Sequence, residues 1–165
     1  MLGKLFNKKA KANHIHISSP LTGTVVPLDH VPDEAFSGKF MGDGVAIEPT
    51  EGVLVSPFDG VVAHLIDTHH AVIVEHSSGL QLLLHIGVNT VGLKGQGFTA
   101  KVNTGDSIVA GQTLIEFDLE TIRAAGYPVI TPVVVANMEL LSDLDYDFKP
   151  VIRGEENLLT AALKN

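Results

Sequence analysis

From residue 15 onward the chain alternates short apolar runs with turn-forming residues. Runs rich in Val, Ile and Leu recur at 15–17, 23–28, 44–48, 53–55, 60–66, 71–76, 80–86, 108–109, 113–117 and 129–135. Between them stand "SSPLTG", "GDG", "PTEG", "SPFDG", "SSG", "GLKGQG", "NTGD" and "AGQ". Such clusters of Gly, Pro, Asn, Asp and Ser stop a strand and reverse the chain. Many short strands at close spacing predict an all-β fold, an antiparallel β-sandwich or barrel. Helical spacing is brief. "DLETIRAAG" (118–126) has Asp118 as N-cap and Gly126 as stop, and "VPDEAFSG" predicts a single turn near 32–37. "SPLTGTVVPL" at 19–28 echoes "SPFDGVVAHL" at 56–65, which predicts a duplicated Ser-Pro-x-x-Gly unit. The competing explanation is turn chemistry that arises repeatedly without common structure.

Composition narrows this picture. Hydrophobic residues make up 45% of 165 residues but aromatics only 5%, with no Trp, so the core is aliphatic. One domain over 15–165 is the simplest division, with 1–14 as an N-terminal tail. A net charge of −8 argues against nucleic-acid binding. Absence of Cys excludes disulfides, thiolate metal sites and cysteine nucleophiles, and is compatible with a reducing cytoplasm. No apolar run reaches the ~20 residues of a membrane span. In the tail, Met1, Leu2, Leu5 and Phe6 can share one helical face among Lys4, Lys8, Lys9 and Lys11. That pattern suits a weak contact with an anionic membrane surface; the alternative is a solvated, frayed terminus.

Four of eight histidines lie in "DTHHAVIVEHSSGLQLLLHIG" (67–87). Read as a β-hairpin, a Ser77–Ser78 loop places His70 opposite His85, about 5 Å away. A Ser78–Gly79 loop places them diagonally, about 7 Å apart on the same face. An odd-length loop or a bulge would separate them. In either two-residue register, Ala71, Ile73, Leu80, Leu82, Leu84 and Ile86 form the core face. His70, Val72, Val74, His76, Gln81, Leu83 and His85 then line the other. Neighbouring imidazoles suit metal binding, acid–base work, or covalent phosphoryl transfer with one ring as nucleophile. The plain alternative is a pair of structural strand residues.

"LLLHIGVNTVGLKGQGF" (82–98) strongly resembles the phosphorylation-site signature of the glucose-type IIA components of the bacterial phosphoenolpyruvate-dependent sugar phosphotransferase system. "SPLTGTVVPL", "GDGVAIEPT", "SPFDGVV", "GDSIVAGQTLIEFDL" and "TPVVVANM" extend the resemblance over about 15–152. "THHA" matches the family's second histidine motif and selects His70, not His69, together with Thr68. The resemblance implies a cytoplasmic histidine phosphocarrier. In it, His85 accepts a phosphoryl group on Nε2 from phosphorylated HPr. His70 holds the phosphate and supports its passage to the IIB domain of a IIB/IIC sugar permease, and Thr68 orients His70. It further implies an apolar docking ring, at positions matching Phe36, Phe40, Met41, Ile66, Leu83 and Val91. No cofactor or metal is required, although paired imidazoles such as His70 and His85 also take up zinc adventitiously.

The chain departs from the family at Asn89, where Asp is usual. Asn keeps the shape and loses the charge, which bears on affinity for HPr more than on the chemistry. Three rivals are weaker. "VNTGDSIVAGQTLIEF" (102–117) resembles a biotinyl or lipoyl hairpin, but "VANMELLS" supplies no Lys. "HIH" (14–16) and "HLID" (64–67) suggest a zinc hydrolase, with the order reversed and the spacing wrong. A regulator could use the same face on permeases or metabolic enzymes without catalysis.

Overall fold

The structure is a computed structural model that describes residues 13–165; the tail pattern at 1–12 lies outside them. The elements in chain order are β1 (His14–Ile17), β2 (Gly23–Val26), α1 (Glu34–Ser37), β3 (Asp43–Pro49), β4 (Val53–Val55), β5 (Gly60–Leu65), β6 (Ala71–His76) and β7 (Gln81–His85). There follow β8 (Phe98–Ala100), β9 (Ser107–Ile108), β10 (Thr113–Phe117), α2 (Leu119–Ala124), β11 (Thr131–Val135), β12 (Leu141–Tyr146), β13 (Pro150–Val151) and β14 (Leu159–Leu163). His14, assigned to the tail on sequence grounds, already pairs with Ala162. Both short helices fall where their caps lie. The Asp33 carboxylate accepts from Ala35 N–H, and that of Asp118 accepts from Glu120 and Thr121.

All strand pairs are antiparallel. One eight-stranded sheet has the order β13-β2-β3-β11-β7-β6-β5-β9, and two three-stranded sheets have the orders β4-β10-β8 and β1-β14-β12. The architecture is sandwich-like, and the large sheet ends in two edges without closing into a barrel. The main core takes Val72, Val74, Leu82, Leu84, Val133 and Val135 from one face of the large sheet. Ile17, Leu54, Leu114, Ile115 and Leu159 join it from the small sheets. The opposite face of the large sheet carries a second apolar cluster, with Ala46, Ala71, Leu83 and Val134 packed under Leu28, Val31, Phe36, Val88 and Ile130. Central strands are therefore buried on both faces, which explains their near-continuous Val and Leu runs.

The Ser-Pro-x-x-Gly echo is a real structural duplication. Ser19 Oγ donates to Leu21 O at 2.7 Å and Ser56 Oγ to Phe58 O at 2.6 Å, and both serines are fully buried. Each Ser carbonyl accepts from a glycine amide, Gly154 and Gly111 respectively. Gly23 and Gly60 pass so close to the neighbouring strand that a Cβ would strike the carbonyl of Glu48 or Glu75 at about 2 Å. The strand order repeats the theme: β2 lies between β13 and β3, and β5 between β9 and β6.

The β6–β7 hairpin corrects the sequence reading of its register. Ala71, not His70, lies opposite His85, and Val72, Ile73, Val74 and Glu75 face Leu84, Leu83, Leu82 and Gln81. The loop is three residues, Ser77-Ser78-Gly79, between His76 and Leu80. His76 N–H donates to Leu80 O, Gly79 N–H donates to His76 O, and Gly79 has φ 95°. A residue in this left-handed region lets a three-residue turn match the strand twist. The odd loop moves every β7 side chain to the other face relative to β6. Val72 and Val74 therefore join Leu82 and Leu84 in the main core, while Ala71 and Ile73 lie on the face of Leu83 and His85.

Candidate active site

The altered register would separate His70 from His85 if both stood within the ladder. They meet because His70 stands just outside it. β6 begins at Ala71, and the preceding 66–70 segment is a tight turn. Its Ile66 N–H donates to Ala71 O, its His69 N–H donates to Ile66 O, and His69 has φ 60°. Beyond the Ala71–His85 pair, Ile86 N–H donates to the His70 carbonyl at 2.8 Å. The two imidazoles meet at this end of the sheet, with centroids 5.0 Å apart and planes at 79°. Neighbourhood follows from a turn beside the strand end, not from cross-strand pairing. His69, one residue earlier, and His76, at the far end of β6, are not part of this pair.

Each ring has one nitrogen occupied. His85 Nδ1 lies 2.7 Å from Gly87 O. A carbonyl only accepts, so Nδ1 carries the proton and Nε2 holds a lone pair. His70 Nδ1 lies 2.7 Å from Thr68 Oγ1. Among the described residues neither Nε2 has a hydrogen-bond partner, and no buried side-chain nitrogen or oxygen lacks one. Both Nε2 atoms therefore reach solvent, on rings whose centroids are 5.0 Å apart.

The surroundings keep the rings neutral. His70 is 5% exposed. Burial, aided by neighbouring His85, pushes its pKa down to about 4. Burial also lowers that of His85, against the opposing influences of the Gly87 carbonyl and Asp33. Phe36 packs its ring 5.2 Å from that of His85, and Phe98 lies 6.3 Å from that of His70. An imidazole kept neutral at pH 7 is a competent nucleophile.

The residues expected to form a docking ring divide into two layers. Phe36 and Leu83 are buried and form the floor beneath His85; they are not available as a surface. Ile66 is partly buried against the same cluster. Phe40 (81% exposed), Met41 (44%) and Val91 (57%) stand in solvent. Asn89 is exposed at φ 61°, at the start of a 3-10 turn Thr90–Leu93. Asn adopts this left-handed backbone more readily than most residues. Among the described residues no group of three or more His, Cys, Asp or Glu side chains is placed to hold a metal ion. No helix among them is long and apolar enough to cross a membrane.

Sequence reasoning missed several contributors. Gly87 acts through its carbonyl, which no side-chain motif announces. Its signal is a glycine two positions after the histidine. Gly87 has φ 75°, and a Cβ there would meet Thr90 Cγ2 at 2.6 Å and Pro128 O at 2.7 Å. Phe98 closes the 82–98 motif without announcing its place beside His70, and Pro128 comes from distant sequence.

The family model for the phosphoenolpyruvate-dependent sugar phosphotransferase system, EIIA 1, matches residues 15–141. A glucose-specific EIIA component of Bacillus cereus is 47% identical over 139 residues, covering 84% of each chain. That of Haemophilus influenzae is 38% identical over 160 residues and 96% of each. A beta-glucoside-specific EIIBCA component of Halalkalibacterium halodurans is 46% identical over 143 residues, 87% of this chain and 22% of that protein. Among solved structures, glucose permease IIA from Mycoplasma capricolum superposes with a TM-score of 0.80 at 29% identity, covering 92% of this chain and 96% of that one. The chain belongs to the EIIA 1 family of the phosphoenolpyruvate-dependent sugar phosphotransferase system, and is a phosphotransferase component that carries phosphoryl groups in sugar phosphotransfer.

Proposed function

We propose that His85 Nε2 is the phosphoryl acceptor, that phosphorylated HPr is the donor, and that the IIB domain of a IIB/IIC sugar permease is the recipient. Residues 15–165 act as one carrier unit in the cytoplasm. The observation that carries this reading is the Gly87 carbonyl on His85 Nδ1, which leaves a neutral, solvent-reaching Nε2 lone pair. In the transfer, that lone pair forms the new N–P bond. The bond from phosphorus to the donor breaks, and its electron pair stays with the donor. Nδ1 keeps its proton, so no proton moves during uptake.

His70 completes the site. If the Thr68 hydroxyl donates to His70 Nδ1, then His70 Nε2 carries a proton directed at an oxygen of the phosphoryl group. This contact strengthens as charge develops on the transferring group, which is where electrostatic help counts. Thr68 thus fixes a tautomer and His70 holds the phosphate. Phe40, Met41 and Val91 supply an apolar rim of the kind a transient partner covers.

The test is incubation with labelled phosphoenolpyruvate, enzyme I and HPr. About one phosphate per chain is expected, acid-labile and base-stable as a phosphoimidazole should be. Absence of label under conditions that phosphorylate HPr overturns the reading.

A further inference from the structure

Thr90 is a fully buried polar residue to which neither the phosphoryl chemistry nor the docking rim assigns a task. It stands five positions after His85, opening the 3-10 turn Thr90–Leu93. Its hydroxyl has a single partner, the carbonyl of Ile86, at 2.5 Å. A carbonyl cannot donate, so the Thr90 hydroxyl does.

That bond lands on the segment that controls both histidines. Ile86 N–H donates to the His70 carbonyl at 2.8 Å. The following carbonyl, that of Gly87, accepts from His85 Nδ1 at 2.7 Å. Two successive residues, Ile86 and Gly87, therefore hold one histidine's backbone and the other's ring. Thr90 is tied to the first of them through the Ile86 carbonyl. Its methyl crowds the second, since a Cβ on Gly87 would lie 2.6 Å from Thr90 Cγ2 and 2.7 Å from Pro128 O. On the far side, Val88 N–H donates to that Pro128 carbonyl at 3.1 Å. Gly87 is thus wedged between Thr90 and Pro128, with φ at 75°. A residue free of Cβ strain is also free to rotate its carbonyl away. Something must hold it, and the contacts that bear on it are these.

We propose that Thr90 is the positioning residue that aims the Gly87 carbonyl at His85 Nδ1, and so fixes the tautomer with its lone pair on Nε2. The proposal rests on the assignment of His85 as acceptor, and deepens it. Without the Thr90 hydroxyl the Ile86–Gly87 peptides lose their anchor. The His85 ring then samples both tautomers, and only one of them presents a nucleophile where a donor reaches it. Groups that orient a reactive imidazole through its second nitrogen act on rate through geometry, not through contact with substrate.

The experiment compares Thr90→Val, which keeps shape and loses the hydroxyl, with Thr90→Ser, which keeps the hydroxyl. Nitrogen-15 NMR of the His85 ring in the full chain reads the tautomer without any phosphorylation. The native protein and Thr90→Ser are expected to show the Nδ1–H form alone, and Thr90→Val a mixture of both. In phosphoryl uptake from HPr, Thr90→Val is expected to lower kcat about tenfold with KM for HPr nearly unchanged. Thr90→Ser should stay within about twofold of native. A Thr90→Val protein that folds with a single Nδ1–H tautomer and native kcat overturns the proposal. So does an Nε2–H tautomer in the unmodified protein, which needs no variant to fold. If His85 never takes label yet its tautomer responds to Thr90 as described, the acceptor assignment fails and the positioning stands.

Discussion

The two copies of the Ser-Pro-x-x-Gly unit feed into hairpins of similar framework and very different connections. After β5 the chain turns within 66–70 and enters β6, and this tight turn places Thr68 and His70. After β2 the chain makes a long excursion over 27–42 before β3, and this loop carries α1, Phe36, Phe40 and Met41. One connection supplies polar chemistry and the other an apolar wall. Phe36 brings them together by packing against His85. The duplicated strands form the framework, and the connections between them carry the candidate site.

Removing the chemical half should have the largest effect. His85→Ala is expected to abolish phosphate incorporation altogether. His70→Gln should still take label from HPr but pass it to IIB at least about 100-fold more slowly, as expected for loss of a charge-assisted contact in the transition state. Native onward transfer by His70→Gln would mean that the tight turn matters for shape alone.

Disturbing the apolar half should affect encounter and leave chemistry intact. Phe40→Ser removes an exposed ring, so KM for HPr should rise about tenfold while kcat changes little. Its melting temperature should stay near native, since surface changes usually cost within about 0.5 kcal/mol. A falling kcat with constant KM would place Phe40 with the histidines instead.

Acid should separate the halves more gently. The folded pKa of His70, about 4, lies below the ordinary value of 6.5. Above pH 6.5 both folded and unfolded chains hold it neutral, and stability is complete. Between 6.5 and 4 the unfolded chain binds a proton that the folded chain refuses, so stability falls with pH. Below 4 the loss levels off. Denaturant midpoints at pH 7, 5.5 and 4 should fall more for the native protein than for His70→Gln. Equal slopes would remove His70 as the source.

The smallest change concerns charge at the rim. Asn89→Asp keeps a residue type that tolerates φ 61°. It should lower KM for HPr about two- to threefold at low salt, with the gain fading at high salt. A gain indifferent to salt would point to geometry in place of charge.

Much of the framework could be read from the alternation of apolar runs and turns, including β4, β6 and β10 to the residue. Four strands lie outside the predicted runs: β8 and β13, of only three and two residues, and the longer β12 and β14. β12, "LSDLDY", exposes Ser142, Asp143 and Asp145, and β14, "LTAAL", is rich in Ala, a weak strand former. The His70–His85 pair was legible, but for a reason that did not hold. Ser77-Ser78-Gly79 admits two- and three-residue loops alike, and only the packed structure selects the odd one. Proximity survived the change of register because His70 lies in a turn, where alternation has no force. The contacts of Gly87 and Thr90 run through backbone carbonyls, and such contacts leave almost no trace in side-chain patterns.

The ends of the large sheet have a consequence of their own. Its outermost strands, Ser107–Ile108 and Pro150–Val151, are two residues each, and one contains a residue with no amide hydrogen to offer. Eight strands of Val and Leu with long bare margins would invite other chains to extend the sheet. These margins give a stray strand almost nothing to grip. A shuttle that must meet one partner, leave it, and meet another gains from being adhesive in one place alone.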